Sequence, residues 1–252
     1  MAIPYLLEGH IQESGTWLRK TPDHFARLRI EVRRGRAVAL DTHRRRVLFD
    51  DATHANYDRL LVATGSRPVR PPIQGIDLPQ VLTCWTLEDA RAIARYAKPG
   101  SRVVQLGAGF IGCIIMEALA ARGAQLTVVE LGDRMVPRMM TPKAGGMIRA
   151  WVESKGIRVI TKAGIDRIEP DAEGASLQVH LTTGTRLPAD LMIVSAGVTP
   201  NVSFLESTPV HVAKGVLVDD RLETSVSGIF AAGDVAEAPD IFTGAHLVSA
   251  IQ

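Results

Sequence analysis

Short apolar runs bounded by turn residues recur along the chain and predict strands. The clearest are Val103–Leu106, Thr127–Val129, Ile157–Thr161 and Leu191–Val194. Longer stretches between them predict helices. One runs from Phe110 to about Arg122, with Gly123 just past its end. Another opens on Thr86 as N-cap, with Asp89 at its third position, and ends near Pro99-Gly100. A third, Thr141–Lys155, is weakened by Gly145-Gly146 and closed by Gly156. Upstream, Ala37–Leu40, Arg45–Phe49 and Tyr57–Ala63 alternate with turn-rich pieces and read as a small β-meander. Residues 1–25 carry little pattern. Arg67–Pro72 reads as a linker, because prolines break helix and ladder alike. Two or three short strands are expected through Leu177–Leu187, and further ones at Gly215–Val218 and Gly228–Ala231.

The order strand, glycine turn, helix, strand, acid at Val103–Glu130 carries the most chemistry. Gly107-Ala108-Gly109-Phe110-Ile111-Gly112 matches G-x-G-x-x-G, and Glu130 follows Gly107 by 23 positions. Gly107 lets the chain turn tightly, Gly109 lets a pyrophosphate approach the backbone, and Gly112 lets the helix pack close to the sheet. Unpaired N–H groups and the dipole at the helix start make an anion site. A carboxylate at Glu130 accepts from both ribose hydroxyls and repels a 2′-phosphate, so the expected ligand is NAD rather than NADP. A glycine-rich turn without a ligand is the plain alternative. It has to account for both strands, the helix and the acid together.

Composition narrows the picture further. The 252 residues are 46% hydrophobic and 22% charged, with net charge +2, an ordinary globular balance that does not argue for nucleic acid. Arg33-Arg34-Gly35-Arg36 and Arg44-Arg45-Arg46 read as solvated hairpin tips. No apolar run reaches the roughly 18 residues needed to cross a bilayer, and the start lacks a secretion signal. Cys84 and Cys113 are too far apart in sequence for C-x-x-C, so a cytoplasmic location without structural disulfides is expected. The seven histidines show no metal spacing; His246 stands out for lying just downstream of Asp234.

Three strands end in a small residue and glycine: at Ala63-Thr64-Gly65, at Ala196-Gly197 and at Gly233-Asp234. With their surroundings, Tyr57–Pro68, Gly197-Val198-Thr199-Pro200-Asn201 and Thr224–Asp234, they resemble the signatures of the FAD-dependent pyridine nucleotide-disulfide oxidoreductase superfamily. The nearest likeness is to its ferredoxin-reductase-like and nitrite-reductase-like branches. The resemblance implies an α/β fold: a Rossmann-like NAD domain with a three-layer sheet, 82–200, inserted into an incomplete FAD-binding domain with a β-meander, 1–81 and 201–252. It implies FAD and NAD as cofactors, NADH as partner, and hydride transfer to flavin N5. Electrons would then pass to a small-molecule or redox-protein acceptor, with no nucleic acid and no membrane involved. Asp234 would accept from a ribityl hydroxyl. The family's opening G-x-G-x-x-G unit and C-terminal dimerisation domain are not found in this sequence. It starts at Pro4–Gly9, like the segment after that unit, and stops at Ala250-Ile251-Gln252, where the family usually begins a helix beside the flavin. A homodimer is expected only for a longer form with that domain. Ile114 and Thr199 stand where many members have glutamate and arginine. One alternative is a module that keeps NAD but not stable FAD binding. Another is an interaction protein with a decayed site.

Overall fold

A computed structural model describes residues 2–19 and 21–248. The chain divides into two compact units, one of residues 1–20 and 68–197, the other of 21–67 and 198–252. The sequence reading drew its boundaries at 81/82 and 200/201. The first unit reaches further upstream because the helix Ile3–Glu8 buries Leu7 in its core, and Arg122 donates to the Leu7 carbonyl at 2.8 Å.

The first unit is built on five parallel strands: β1 (Val81–Leu82), β2 (Arg102–Leu106), β3 (Gln125–Val129), β4 (Arg158–Ile160) and β5 (Leu191–Val194). Their order in the sheet is β1-β5-β2-β3-β4. The helices α1 (Leu87–Tyr96), α2 (Phe110–Ala121) and α3 (Pro142–Ser154) connect them. Strand β5 is buried along its whole length, as a central parallel strand must be when both faces are covered. Its Leu191 and Ile193 pack with Val103, Val128 and the helix residues Ile93, Ile115 and Leu119. Met192 and Val194 point the other way, into a second core with Val104 and Val129. That second core is closed by an antiparallel meander of Ile165–Pro170, Leu177–Leu181 and Arg186–Ala189. The result is helices, parallel sheet and meander in three layers, the α/β arrangement expected.

Ile165–Pro170 was not anticipated as a strand, because Asp166, Arg167 and Glu169 interrupt its apolar positions. Gly145 does more than weaken α3: a Cβ there would lie 2.7 Å from the Met135 carbonyl oxygen, so the bare backbone lets the loop after β3 lie against the helix.

In the second unit, Ala37–Asp41, Arg46–Phe49 and His54–Asn56 form the antiparallel meander. Leu60–Val62 was expected to belong to it. Instead it pairs in parallel with Ile229–Ala231, the partner that places Val62, Ile229 and Ala231 in one core. Ser66–Pro68, overlapping the start of the expected linker Arg67–Pro72, pairs with Val198–Pro200. The end of the chain at Ala250–Gln252 lies outside the described residues.

Candidate functional site

In the first unit, the turn after β2 sits where the strand order reverses, between β5 on one side and β3 on the other. Such a switch point is where open α/β sheets bind ligands. Gly107 has φ +98, and a Cβ on it would lie 2.3 Å from the Ser195 carbonyl oxygen, so only glycine fits. Its N–H donates to the Val129 carbonyl at 2.8 Å. Gly112 is equally constrained: a Cβ would meet the Gly107 oxygen at 2.6 Å and Gln105 Nε2 at 2.9 Å. Gly109 is different. A Cβ there would meet nothing within 4 Å, and the residue has an ordinary extended φ of −73. The first and third glycines therefore serve the fold, while the second leaves open a cradle that a side chain would fill.

Gly109 caps α2 without a side chain, and the first helical bond runs from Cys113 N–H to the Gly109 carbonyl at 3.0 Å. The N–H groups of Phe110, Ile111 and Gly112 precede it, so they are the first-turn donors an anion would meet. Phe110 and Leu131, 37% and 74% exposed, stand on the rim.

Glu130, at the tip of β3, is buried. Its Oε2 accepts from the Ala108 N–H and its Oε1 from the Gly132 N–H, each at 2.7 Å. Each oxygen keeps a further lone pair, so the carboxylate can still accept from two hydroxyls. The turn is also held from beneath by Gln105, which is fully buried and donates from Nε2 to the carbonyls of Gly107 (2.9 Å) and Gly112 (3.0 Å). Sequence reasoning missed Gln105, since its partners are backbone carbonyls that no spacing reveals. Gly197, after β5, has φ +106 and open space at its Cβ position.

In the second unit, parallel pairing puts Ala63-Thr64-Gly65 and Ala232-Gly233-Asp234 at the same ends of neighbouring strands. Gly65 and Gly233 take positive φ with nothing near their Cβ positions. Asp234 accepts from Ser66 Oγ at 2.7 Å. Asn201 locks the first loop: its Nδ2 donates to the Thr64 carbonyl (3.0 Å) and its N–H to the Gly65 carbonyl (3.0 Å). Thr64 Oγ1 returns a bond to the Asn201 carbonyl at 2.9 Å. Ser66 and Asn201 are thus supporting residues that the strand-ending pattern alone did not single out.

No thiol here is poised for chemistry. Burial, then the charge of Asp89, pushes the Cys84 thiol up to about 12. Burial, then Glu130, raises that of Cys113. His246 is exposed on the strand His246–Leu247, and the open groove it lines with His211, Asp219 and Glu223 lacks Asp234. Among the described residues, no group of three or more metal-ligating side chains is arranged to hold an ion. None of the described helices is long and apolar enough to cross a membrane.

A three-layer α/β unit with a G-x-G-x-x-G turn at its switch point defines a dinucleotide-binding fold. The chain belongs to the pyridine nucleotide-disulphide oxidoreductase family, whose sequence model matches residues 7–248. Members of that family work with FAD and NAD(H). The chain is 35% identical over 250 residues to the NADH-dependent phenylglyoxylate dehydrogenase subunit epsilon of Aromatoleum evansii, covering 99% of this chain and 58% of that protein. It is 36% identical over 216 residues to the biphenyl dioxygenase system ferredoxin–NAD(+) reductase component of Paraburkholderia xenovorans, covering 85% and 52%. The solved ferredoxin reductase for the CYP199A2 system from Rhodopseudomonas palustris superposes with a TM-score of 0.91 at 29% identity, covering 98% of this chain and 61% of that one. The chain thus spans a little over half the length of the curated relatives it matches.

Proposed function

We propose that this chain forms the nucleotide-binding part of an FAD-dependent NADH oxidoreductase. The NAD domain expected at 82–200 corresponds to the unit of residues 1–20 and 68–197, and the flavin-binding portion expected at 1–81 and 201–252 to the unit of 21–67 and 198–252. The observation that carries the reading is the glycine turn. Gly107 and Gly112 are sterically obligatory, whereas Gly109 is bare over open space beside unpaired helix N–H groups. The NADH pyrophosphate lies on Gly107, Ala108, Gly109, Phe110, Ile111 and Gly112, with Glu130 accepting from the adenosine ribose. Gly197 leaves room for the coenzyme to extend. The flavin lies on Ala63, Thr64, Gly65, Gly233 and Asp234, whose carboxylate accepts from a ribityl hydroxyl. Bound FAD supplies the hydride-accepting chemistry at N5. The chain's own residues bind, orient and select, which fits thiols that burial keeps protonated.

The acceptor is a redox protein or small molecule, a reading supported by the relative named as a ferredoxin–NAD(+) reductase component. The location is cytoplasmic. A homodimer is proposed only for a longer form bearing the family's C-terminal domain. One observation favours a second reading, a module that binds NAD but holds no flavin. The NAD turn rests on a five-stranded sheet, whereas the Asp234 loop rests on two parallel strands with Leu61 59% exposed. Flavin absorbance of the purified or FAD-reconstituted protein, followed by bleaching with NADH, separates them. Bleaching supports the oxidoreductase. Protein that stays colourless after reconstitution but binds NADH supports the module, and protein that binds neither overturns both.

A further inference from the structure

Gln105 is the one fully buried polar side chain among the described residues, and it sits in a strand otherwise committed to the core. A buried amide is costly unless it is bonded, and here only the nitrogen end is: Oε1 is buried without a hydrogen-bond partner. The amide faces two carbonyl oxygens, Gly107 at 2.9 Å and Gly112 at 3.0 Å, so its NH2 group is the end that points at the turn. The Gly107 carbonyl belongs to the Gly107–Ala108 peptide. In a trans peptide the C=O and N–H point in opposite directions. The other end of this same peptide, the Ala108 N–H, donates to Glu130 Oε2 at 2.7 Å. One peptide is therefore pinned from both sides, by Gln105 at its oxygen and by Glu130 at its nitrogen. The Gly112 constraint belongs to the same device, because a Cβ there would lie 2.9 Å from the Gln105 amide.

We infer that Gln105 is a positioning residue for coenzyme selection: it fixes the Gly107–Ala108 peptide, and through it the Glu130 carboxylate. The inference rests on the proposed NAD site at this turn. Without Gln105 the Gly107–Ala108 peptide can rotate about Gly107 ψ and Ala108 φ, a motion that the missing Cβ of Gly107 makes easy. Rotation withdraws the Ala108 N–H and leaves Glu130 Oε2 without its anchor. A residue that is wholly buried beneath the turn would then govern discrimination between NADH and NADPH.

Gln105→Met keeps the volume and removes both NH2 donors, together with an Oε1 that has no hydrogen-bond partner to lose. Two readouts test it. In the ligand-free protein, hydrogen exchange at the Ala108 amide should be at least about tenfold faster in Gln105→Met, the scale of one lost hydrogen bond. By calorimetry, the ratio of the NADPH Kd to the NADH Kd should fall by a similar factor, about fivefold or more. Unchanged Ala108 exchange overturns the inference. Faster exchange with an unchanged Kd ratio reduces Gln105 to a structural role and overturns it too. Wild-type protein that binds no NADH overturns the site itself, an outcome distinct from either. If the variant does not fold, exchange in the wild type decides. Slow Gln105 side-chain NH2 and Ala108 amide protons support the pinned peptide; rapid exchange at either overturns it.

Discussion

The sharpest consequence of the glycine geometry is that neighbouring glycines should fail differently. Replacing Gly109 with valine adds a side chain where nothing lies within 4 Å, at φ −73 and ψ −174, an extended conformation that β-branched residues favour. The folding cost is confined to the N-cap preference of α2, roughly 1 kcal/mol, or about 2–4 °C in melting temperature for a chain of this size. Binding suffers far more. The new side chain occupies the approach to the first-turn N–H groups of α2. Each charge-assisted hydrogen bond to an anion contributes about 1.5–3 kcal/mol, and the helix terminus up to about 2 kcal/mol more. Losing two such bonds alone removes about 3–6 kcal/mol, so the NADH Kd should rise at least about a hundredfold. Gly107→Ala is the internal control. It forces a side chain onto φ +98 and to within 2.3 Å of the Ser195 oxygen, and it should lose soluble folded protein before binding can be asked. Calorimetric titration with NADH, alongside thermal melts, reads both. A Gly109→Val protein that melts like wild type and binds NADH within threefold of it would refute the assignment and leave the turn purely structural.

Other consequences follow from the charges and thiols. Asp190 accepts from the Arg102 guanidinium (Nη2 at 2.5 Å, Nε at 3.2 Å) and from the Arg102 backbone N–H (2.8 Å), and these bonds, the guanidinium first, hold its carboxyl below the usual range. A depressed folded value stabilises above the ordinary carboxylate pKa of about 3.9 and loses that stabilisation as pH falls through the folded value. Asp190→Asn should therefore melt lower than wild type at neutral pH, with the gap closing below about pH 4; a gap independent of pH would contradict the bonding. Cys84, pushed up to about 12, should react with a disulfide reagent at pH 8 on the order of a thousandfold more slowly than a free thiol. Reaction at the free-thiol rate in native buffer would show that the site opens.

The glycine turn was legible because three glycines at fixed spacing each answer a separate steric demand, and Glu130 closes the pattern. The three-layer core was legible from Leu191–Val194, whose unbroken apolar character fits burial on both faces, and from Val103–Leu106, apolar at every position but Gln105. What stayed hidden is non-local. Leu60–Val62 reads as well for a meander as for the parallel partner of Ile229–Ala231, and its own residues do not choose between them. The helix Ile3–Glu8 is a single short segment whose helical state depends on burying Leu7 against α1 and α2. Gly145 looks like a helix defect until the Met135 carbonyl appears 2.7 Å from its missing Cβ. Gln105, Ser66 and Asn201 act on groups that spacing alone does not bring together.

The central claim is that Gly107–Gly112 with Glu130 is an NADH site. Titrating NADH and NADPH separately into the purified protein, under one salt condition, tests it most directly. The account predicts saturable NADH binding at least about tenfold tighter than NADPH, because a 2′-phosphate beside the buried Glu130 carboxylate meets like charge. No binding of either, or NADPH bound as tightly as NADH, would contradict it.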